Sequence, residues 1–129
     1  MTTPLWCIGV AWLLIFVPRP IVAAGQARQP EGYDNRDPRD QQARLTGAPR
    51  RALAAHQNAL EGFPPFAAAV VVAHLTAADP AIASALAITY CVARLLYTFL
   101  YITGQGTLRS LVWGIGATAT AGLFLAGAL

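Results

Sequence analysis

The stretch Ala54–Leu75, AAHQNALEGFPPFAAAVVVAHL, decides how the chain is read. Its second half is almost wholly apolar, yet it opens with His56, Asn58 and Glu61 and then sets two adjacent prolines, Pro64 and Pro65, in the run. A helix needs about 20 apolar residues to cross the hydrocarbon of a bilayer, and a carboxylate inside such a helix is costly unless it is paired or wet. The stretch therefore reads as a membrane helix with a polar site built into one end. The paired prolines each remove a backbone donor, so a kink is expected just beyond Glu61.

The rest of the chain fits that reading. Of 129 residues, 56% are hydrophobic and 12% charged, with a mean hydropathy of +0.48; a soluble domain of this length carries roughly twice that charged fraction. Four segments are expected to span the membrane, at about residues 4–24, 53–77, 81–103 and 107–128. They form a single all-α domain over residues 1–129, an up-down four-helix bundle. Residues 25–51 form the one long loop, rich in Gln, Gly, Pro, Arg and Asp and expected to be irregular. The apolar run Leu5–Val17 has the length of a signal-peptide core, but no Lys or Arg precedes it, so it is read as a span.

Seven arginines, at positions 19, 28, 36, 39, 44, 50 and 51, end the first span or lie in the long loop, and Arg109 opens the fourth span. By the positive-inside rule the loop 25–51 and the Gly104 turn face the cytoplasm and both termini face away. Arg19, between two prolines, reads as an interfacial anchor whose stem snorkels to the headgroups. All nine basic residues are arginine; with the abundant alanine this points to a bacterial source and an inner-membrane location. Cys7 and Cys91 sit inside apolar runs and read as packing residues, without the spacing of a zinc site. His56 and His74 read as interfacial residues near opposite ends of the second span.

Depth follows from the 1.5 Å helical rise: Glu61 and Arg94 each lie roughly 13 Å from the cytoplasmic end of their spans. Faces agree as well. Tyr90, Arg94, Tyr97 and Tyr101 fall on one stripe of the third span, Asn58 and Glu61 are i, i+3, and Arg109 and Trp113 are i, i+4. Arg94 is the expected partner of Glu61. Two arginines around one carboxylate leave a surplus of cation, which suits an anionic ligand because the guanidinium fork matches carboxylates. In the fourth span Gly114, Thr118, Gly122 and Ala126 make a ridge of small residues that allows close helix contact.

Four ordered motifs resemble one known family: GQAR at Gly25–Arg28, AHQNALE at Ala55–Glu61 with the following Pro65-Phe66, ARLLYTFLY at Ala93–Tyr101, and LRSLVW at Leu108–Trp113. The resemblance is to the membrane-associated proteins in eicosanoid and glutathione metabolism, the MAPEG family, and in particular to microsomal glutathione transferases. It implies a homotrimer that holds glutathione in the cytoplasmic half, between neighbouring subunits, as co-substrate. Carried across by position, it places Arg28, Gln57, Asn58, Glu61, Arg94, Tyr97, Tyr101 and Trp113 around the tripeptide and gives Arg109, supported by Ser110, the role of stabilising the thiolate. The implied activity is a glutathione-dependent transferase or peroxidase for lipophilic electrophiles; the rival is a non-catalytic lipid-binding scaffold on the same fold. Departures from the prostaglandin synthase branch, with Tyr97 in place of a histidine and Trp113 in place of a tyrosine, argue against prostaglandin synthesis. A small proton-coupled transporter using Glu61 is disfavoured by the permanent cation expected beside it.

Overall fold

The computed structural model describes residues 1–128, which form six helical segments and, among the described residues, no strand. These are α1 (Thr3–Leu14), α2 (Arg19–Ala27), α3 (Pro38–Ala43), α4 (Gly47–Leu75), α5 (Pro80–Ile102) and α6 (Gly106–Ala126). Three stretches are long and apolar enough to cross a membrane: Thr3–Ala27, Pro80–Ile102 and Gly106–Ala126. The chain is an integral membrane protein. Its outward surface agrees, since Trp6, Trp12, Leu95, Phe99, Leu111, Ile115 and Leu125 are all at least half exposed in positions where lipid rather than water is the natural solvent.

The first membrane segment is not one uninterrupted helix. Pro18 has no N–H to donate, and the backbone between α1 and α2 tightens into i→i+3 bonds, with Phe16 N–H donating to the Leu13 carbonyl at 3.0 Å and Arg19 N–H to the Phe16 carbonyl at 3.0 Å. That shift leaves the Ile15 carbonyl without its helical donor. His56 of α4 fills the place, its Nδ1 lying 2.7 Å from the Ile15 oxygen. A carbonyl can only accept, so Nδ1 carries the proton. His56 therefore closes a break in the neighbouring helix, a role that its position near the end of a span does not reveal.

The α4 helix is 29 residues long and runs without interruption through Pro64 and Pro65. It begins at Gly47, well before the apolar run that starts near Leu53. The polar amino-terminal turns of α4 are held by α2, through a small cluster of Val22, Leu45 and Ala52. The segment expected to be irregular contains α3 and is organised by a buried amide. Gln41 is 1% exposed; its Oε1 accepts from Gln26 Nε2 and from the Asp34 N–H, both at 3.1 Å.

Helix α5 starts where Asp79 accepts the N–H groups of Ala81 and Ile82, both at 2.9 Å, with Pro80 in the first turn, where its missing N–H costs nothing. Gly104, at φ 81°, makes the tight turn into α6. The main core joins α1, α4, α5 and α6 and is built mostly from alanines around Phe66, Val70, Tyr90 and Leu123. Such small residues let helix backbones come close, which is how helices associate where lipid gives no hydrophobic drive. The α6 ridge divides between two uses: a Cβ on Gly122 would sit 3.2 Å from Leu86, whereas one on Gly114 would meet nothing within 4 Å. Cys7 and Cys91 are buried and unbridged, and the Cys91 thiol donates to the Cys7 carbonyl at 3.5 Å.

Candidate functional site

The α5 stripe packs as a ladder of rings and guanidinium. Tyr90 stacks on Phe66 of α4 with centroids 3.8 Å apart. The Arg94 Cζ lies 4.5 Å from the centroid of Tyr97, Tyr97 meets Tyr101 edge to face at 5.5 Å, and the Arg109 Cζ of α6 lies 4.2 Å from the centroid of Tyr101. Cations over aromatic faces gain from the ring quadrupole, and more so where water is excluded. The periodicity that sets Tyr90, Arg94, Tyr97 and Tyr101 on one face thus positions both arginines on one flank.

Arg94 is only 6% exposed. Its expected partner is not the one it has: Nη1 donates to Asn58 Oδ1 at 3.0 Å, and among the described residues the sole carboxylate–guanidinium pair is Arg44 with Glu31, in the loop. Glu61 is exposed on the next turn of α4. The reason is angular. Asn58 faces α5 directly, whereas Glu61, about 300° further round at 100° per residue, is turned toward the open side of the cavity. Arg94 Nη2 is buried with no hydrogen-bond partner at all. A guanidinium has five donors and no means of shedding its charge, so an orphaned Nη2 is an unmet demand for an acceptor.

Two depressions adjoin at this point. One, of about 300 Å³, is lined by Asn58, Glu61, Gly62, Pro65, Tyr90, Arg94, Trp113, Gly116, Ala117 and Thr120. The other, of about 230 Å³, is lined by Asn58, Tyr97, Tyr101, Arg109, Ser110 and Trp113. Asn58 and Trp113 belong to both and form the sill between them. Small residues keep the space open: a Cβ on Gly62 would come within 3.2 Å of the Tyr90 hydroxyl. The Ser110 hydroxyl donates to the Gly106 carbonyl at 3.1 Å, one turn back on its own helix, so its oxygen is free to accept.

Eight of the ten residues singled out in the sequence therefore come together: Asn58, Glu61, Arg94, Tyr97, Tyr101, Arg109, Ser110 and Trp113. Two do not. Arg28, at the C-cap of α2, is exposed and lines neither depression, and Gln57 lines a different cavity on another face of α4. Gly62, Gly116, Ala117 and Thr120 were missed. Gly62, Gly116 and Ala117 carry no polar side chain and act by being small, and the Thr120 hydroxyl donates to the Gly116 carbonyl at 3.1 Å; periodicity on α4 and α6 could have signalled that all four face the gap.

Compared with known proteins, residues 3–129 match the sequence model of the MAPEG family. No curated protein and no solved structure matches the chain.

Proposed function

Since the chain belongs to the MAPEG family, whose members are membrane proteins of glutathione and eicosanoid metabolism, we propose that it is a glutathione-dependent transferase or peroxidase acting on lipophilic electrophiles. The observation that carries this reading is the buried Arg94 guanidinium, half satisfied by a neutral amide and otherwise without an acceptor, beside a cavity whose rim holds a second arginine. An acceptor is needed to complete it, and an anion would balance its charge as well. Glutathione supplies two carboxylates and, when its thiol ionises, a nucleophilic sulfur.

On this reading Arg94 and Asn58 anchor a carboxylate at the deep end, and Glu61 takes the tripeptide's ammonium group at the open edge. Arg109, held over the Tyr101 ring, favours the thiolate: a thiol has a pKa near 8.5 and is drawn toward ionisation by a neighbouring cation. Ser110 orients that sulfur by turning its O–H from the Gly106 carbonyl to the thiolate, and Trp113 separates the charged end from the apolar mouth formed by Pro65, Gly116 and Ala117, through which a lipophilic substrate would enter from the bilayer. Holding the two reactants in register supplies much of the rate.

The same proposal takes α1 with α2, α4, α5 and α6 as four spans of one domain over residues 1–129 in a bacterial inner membrane. The loop 25–51 is then cytoplasmic, and three copies assemble so that Arg28 and Gln57 of a neighbouring copy close the site. The exposure of these two side chains and their absence from the lining of the Arg94 cavity support a role across an interface rather than within one chain.

The test is to add glutathione to detergent-purified protein and record the ultraviolet absorbance of the thiolate. A rise in the parent protein that is lost in Arg109→Ala, with helical content unchanged, is expected. No rise in the parent protein refutes the transferase and leaves the lipid-binding scaffold.

A further inference from the structure

A third cavity, of about 350 Å³, opens on a different face of α4 and shares no lining residue with the two just described; it is bounded by the α1–α2 break, the loop with α3, and the face of α4 that carries His56 and Leu60. Its composition divides in two. Five nitrogen-bearing side chains line it, Arg19, Arg39, Gln42, His56 and Gln57, of which only Gln57 also enters the trimer reading above, while Phe16 and Leu60, 47% and 49% exposed, form an apolar lip. No carboxylate lines it. Among the described residues neither arginine has an acidic partner within 4.0 Å, since the only pair is Arg44 with Glu31.

We propose that this cavity binds the phosphate of an anionic phospholipid, with the start of its acyl chains against Phe16, Leu53 and Leu60. Three observations carry the proposal independently of the thiol site. First, two unpaired guanidinium groups come from separate segments, Arg19 opening α2 and Arg39 in α3, so they can grip a tetrahedral anion from two directions; planar forks on phosphate oxygens are the strong form of that contact. Second, Arg19 stands two residues after Val17, where the apolar run ends, which sets it at the depth where hydrocarbon gives way to headgroups. Third, the apolar lip lies beside the cations, so the site is amphiphilic in the sense in which a phospholipid is. A volume of about 350 Å³ corresponds to roughly a dozen waters at ~30 Å³ each, enough for a phosphate and its ester arm.

The structure also explains why the site persists when empty of any partner residue. His56 Nδ1 is committed to the Ile15 carbonyl, which fixes the α1–α2 break against α4, and the buried Gln26–Gln41 pair fixes α3 beneath it. Both arginine backbones are thereby held by the fold rather than by the ligand.

Native mass spectrometry of the full chain in neutral detergent tests this, with phosphatidylglycerol, phosphatidylcholine or soluble glycerol phosphate added at equal concentration. Phosphatidylglycerol is expected to remain bound after detergent is stripped, phosphatidylcholine to be retained far less, and glycerol phosphate not to be retained. Arg19→Gln with Arg39→Gln should lower phosphatidylglycerol retention by roughly thirty-fold, at about 1 kcal/mol for each basic residue. Arg36→Gln with Arg50→Gln, two exposed arginines that do not line the cavity, should leave it unchanged. Should the cavity pair fail to purify, Arg39→Gln alone, on an exposed position of a short helix, should still give a several-fold loss. Unaltered retention in either cavity variant, an equal loss in the control pair, or retention of glycerol phosphate in place of lipid would overturn the proposal.

Discussion

Replacing Asn58 by leucine should destabilise the protein more than removing the charge that Asn58 serves. Arg94 is buried, its Nη1 has one acceptor in Asn58, and its Nη2 has none. Asn58→Leu removes a hydrogen bond to a charged group, worth about 1.5 to 3 kcal/mol, and leaves a guanidinium with less compensation at a depth where an arginine already costs about 2.5 to 3.5 kcal/mol. A net loss of about 2 to 4 kcal/mol follows. Arg94→Met keeps most of the volume and abolishes the desolvation cost; what it forfeits is the contact with Tyr97, about 0.5 to 2 kcal/mol, and the bond to a half-buried amide that can turn to the open cavity. Its net cost should stay below about 1.5 kcal/mol. The double variant Asn58→Leu/Arg94→Met should then be closer to the parent protein than Asn58→Leu alone. Unfolding by sodium dodecyl sulfate, followed by helical circular dichroism without added thiol, measures all three. If Arg94→Met costs as much as Asn58→Leu or more, Arg94 is a structural strut, and the claim that it waits for an anion is wrong. With glutathione present the order should change: at a concentration about 100 times Kd the parent protein should gain ~2.7 kcal/mol, and Arg94→Met markedly less.

Arg109→Lys should retain a weakened thiolate absorbance with added glutathione, because the cation persists without the planar fork over Tyr101, whereas Arg109→Ala should show none; equal signals in the two would remove Arg109 from the chemistry. His56→Leu should cost about 1 to 3 kcal/mol by orphaning the Ile15 carbonyl, and amide exchange of residues near the α1–α2 break should accelerate while that of α6 does not. Gly25→Val should prevent close packing of α2 on α4, since even a single Cβ there would overlap the Pro49 ring; a loss of about 1 to 3 kcal/mol or more in detergent unfolding is expected, and an unchanged midpoint would contradict the packing.

The membrane character and the shared flank of the polar stripes were legible in the sequence because both rest on helical periodicity, which survives packing. Tyr90, Arg94, Tyr97 and Tyr101 needed only the 3.6-residue repeat to be placed on one face. The partner of Arg94 was not legible. Asn58 and Glu61 are neighbours on a helix wheel by spacing, and charge alone favours the carboxylate; which of them meets Arg94 depends on the rotation of α4 about its axis, set by Phe66 on Tyr90 and by alanines packing elsewhere. The α1–α2 break is a related case. Pro18 announces a disturbed turn, but the donor that meets the carbonyl freed there, that of Ile15, lies 41 residues further along the chain, in another helix. The loop 25–51 concealed α3 for a different reason: its order comes from the buried amides of Gln26 and Gln41, and a glutamine's burial leaves no periodic mark in so short a segment.

The placement of the two free cations also separates the proposed enzyme from the lipid-binding scaffold. Arg109 lies over Tyr101, and Arg94 arises seven residues earlier on α5, so at 1.5 Å per residue their levels differ by up to about 10 Å along the helix. A fatty acid or a single-headed lipid presents one anionic group and could satisfy one arginine, leaving the other beside an alkyl chain that pairs with nothing. A ligand with negative charge at both ends of a short, polar backbone can meet both levels at once, and a tripeptide with two carboxylates and an ionisable thiol has that form. The single carboxylate on the wall, Glu61, then stands where a positive group of the same ligand is needed, which is why a carboxylate that has no guanidinium partner of its own can still be useful at the edge of a hydrocarbon run.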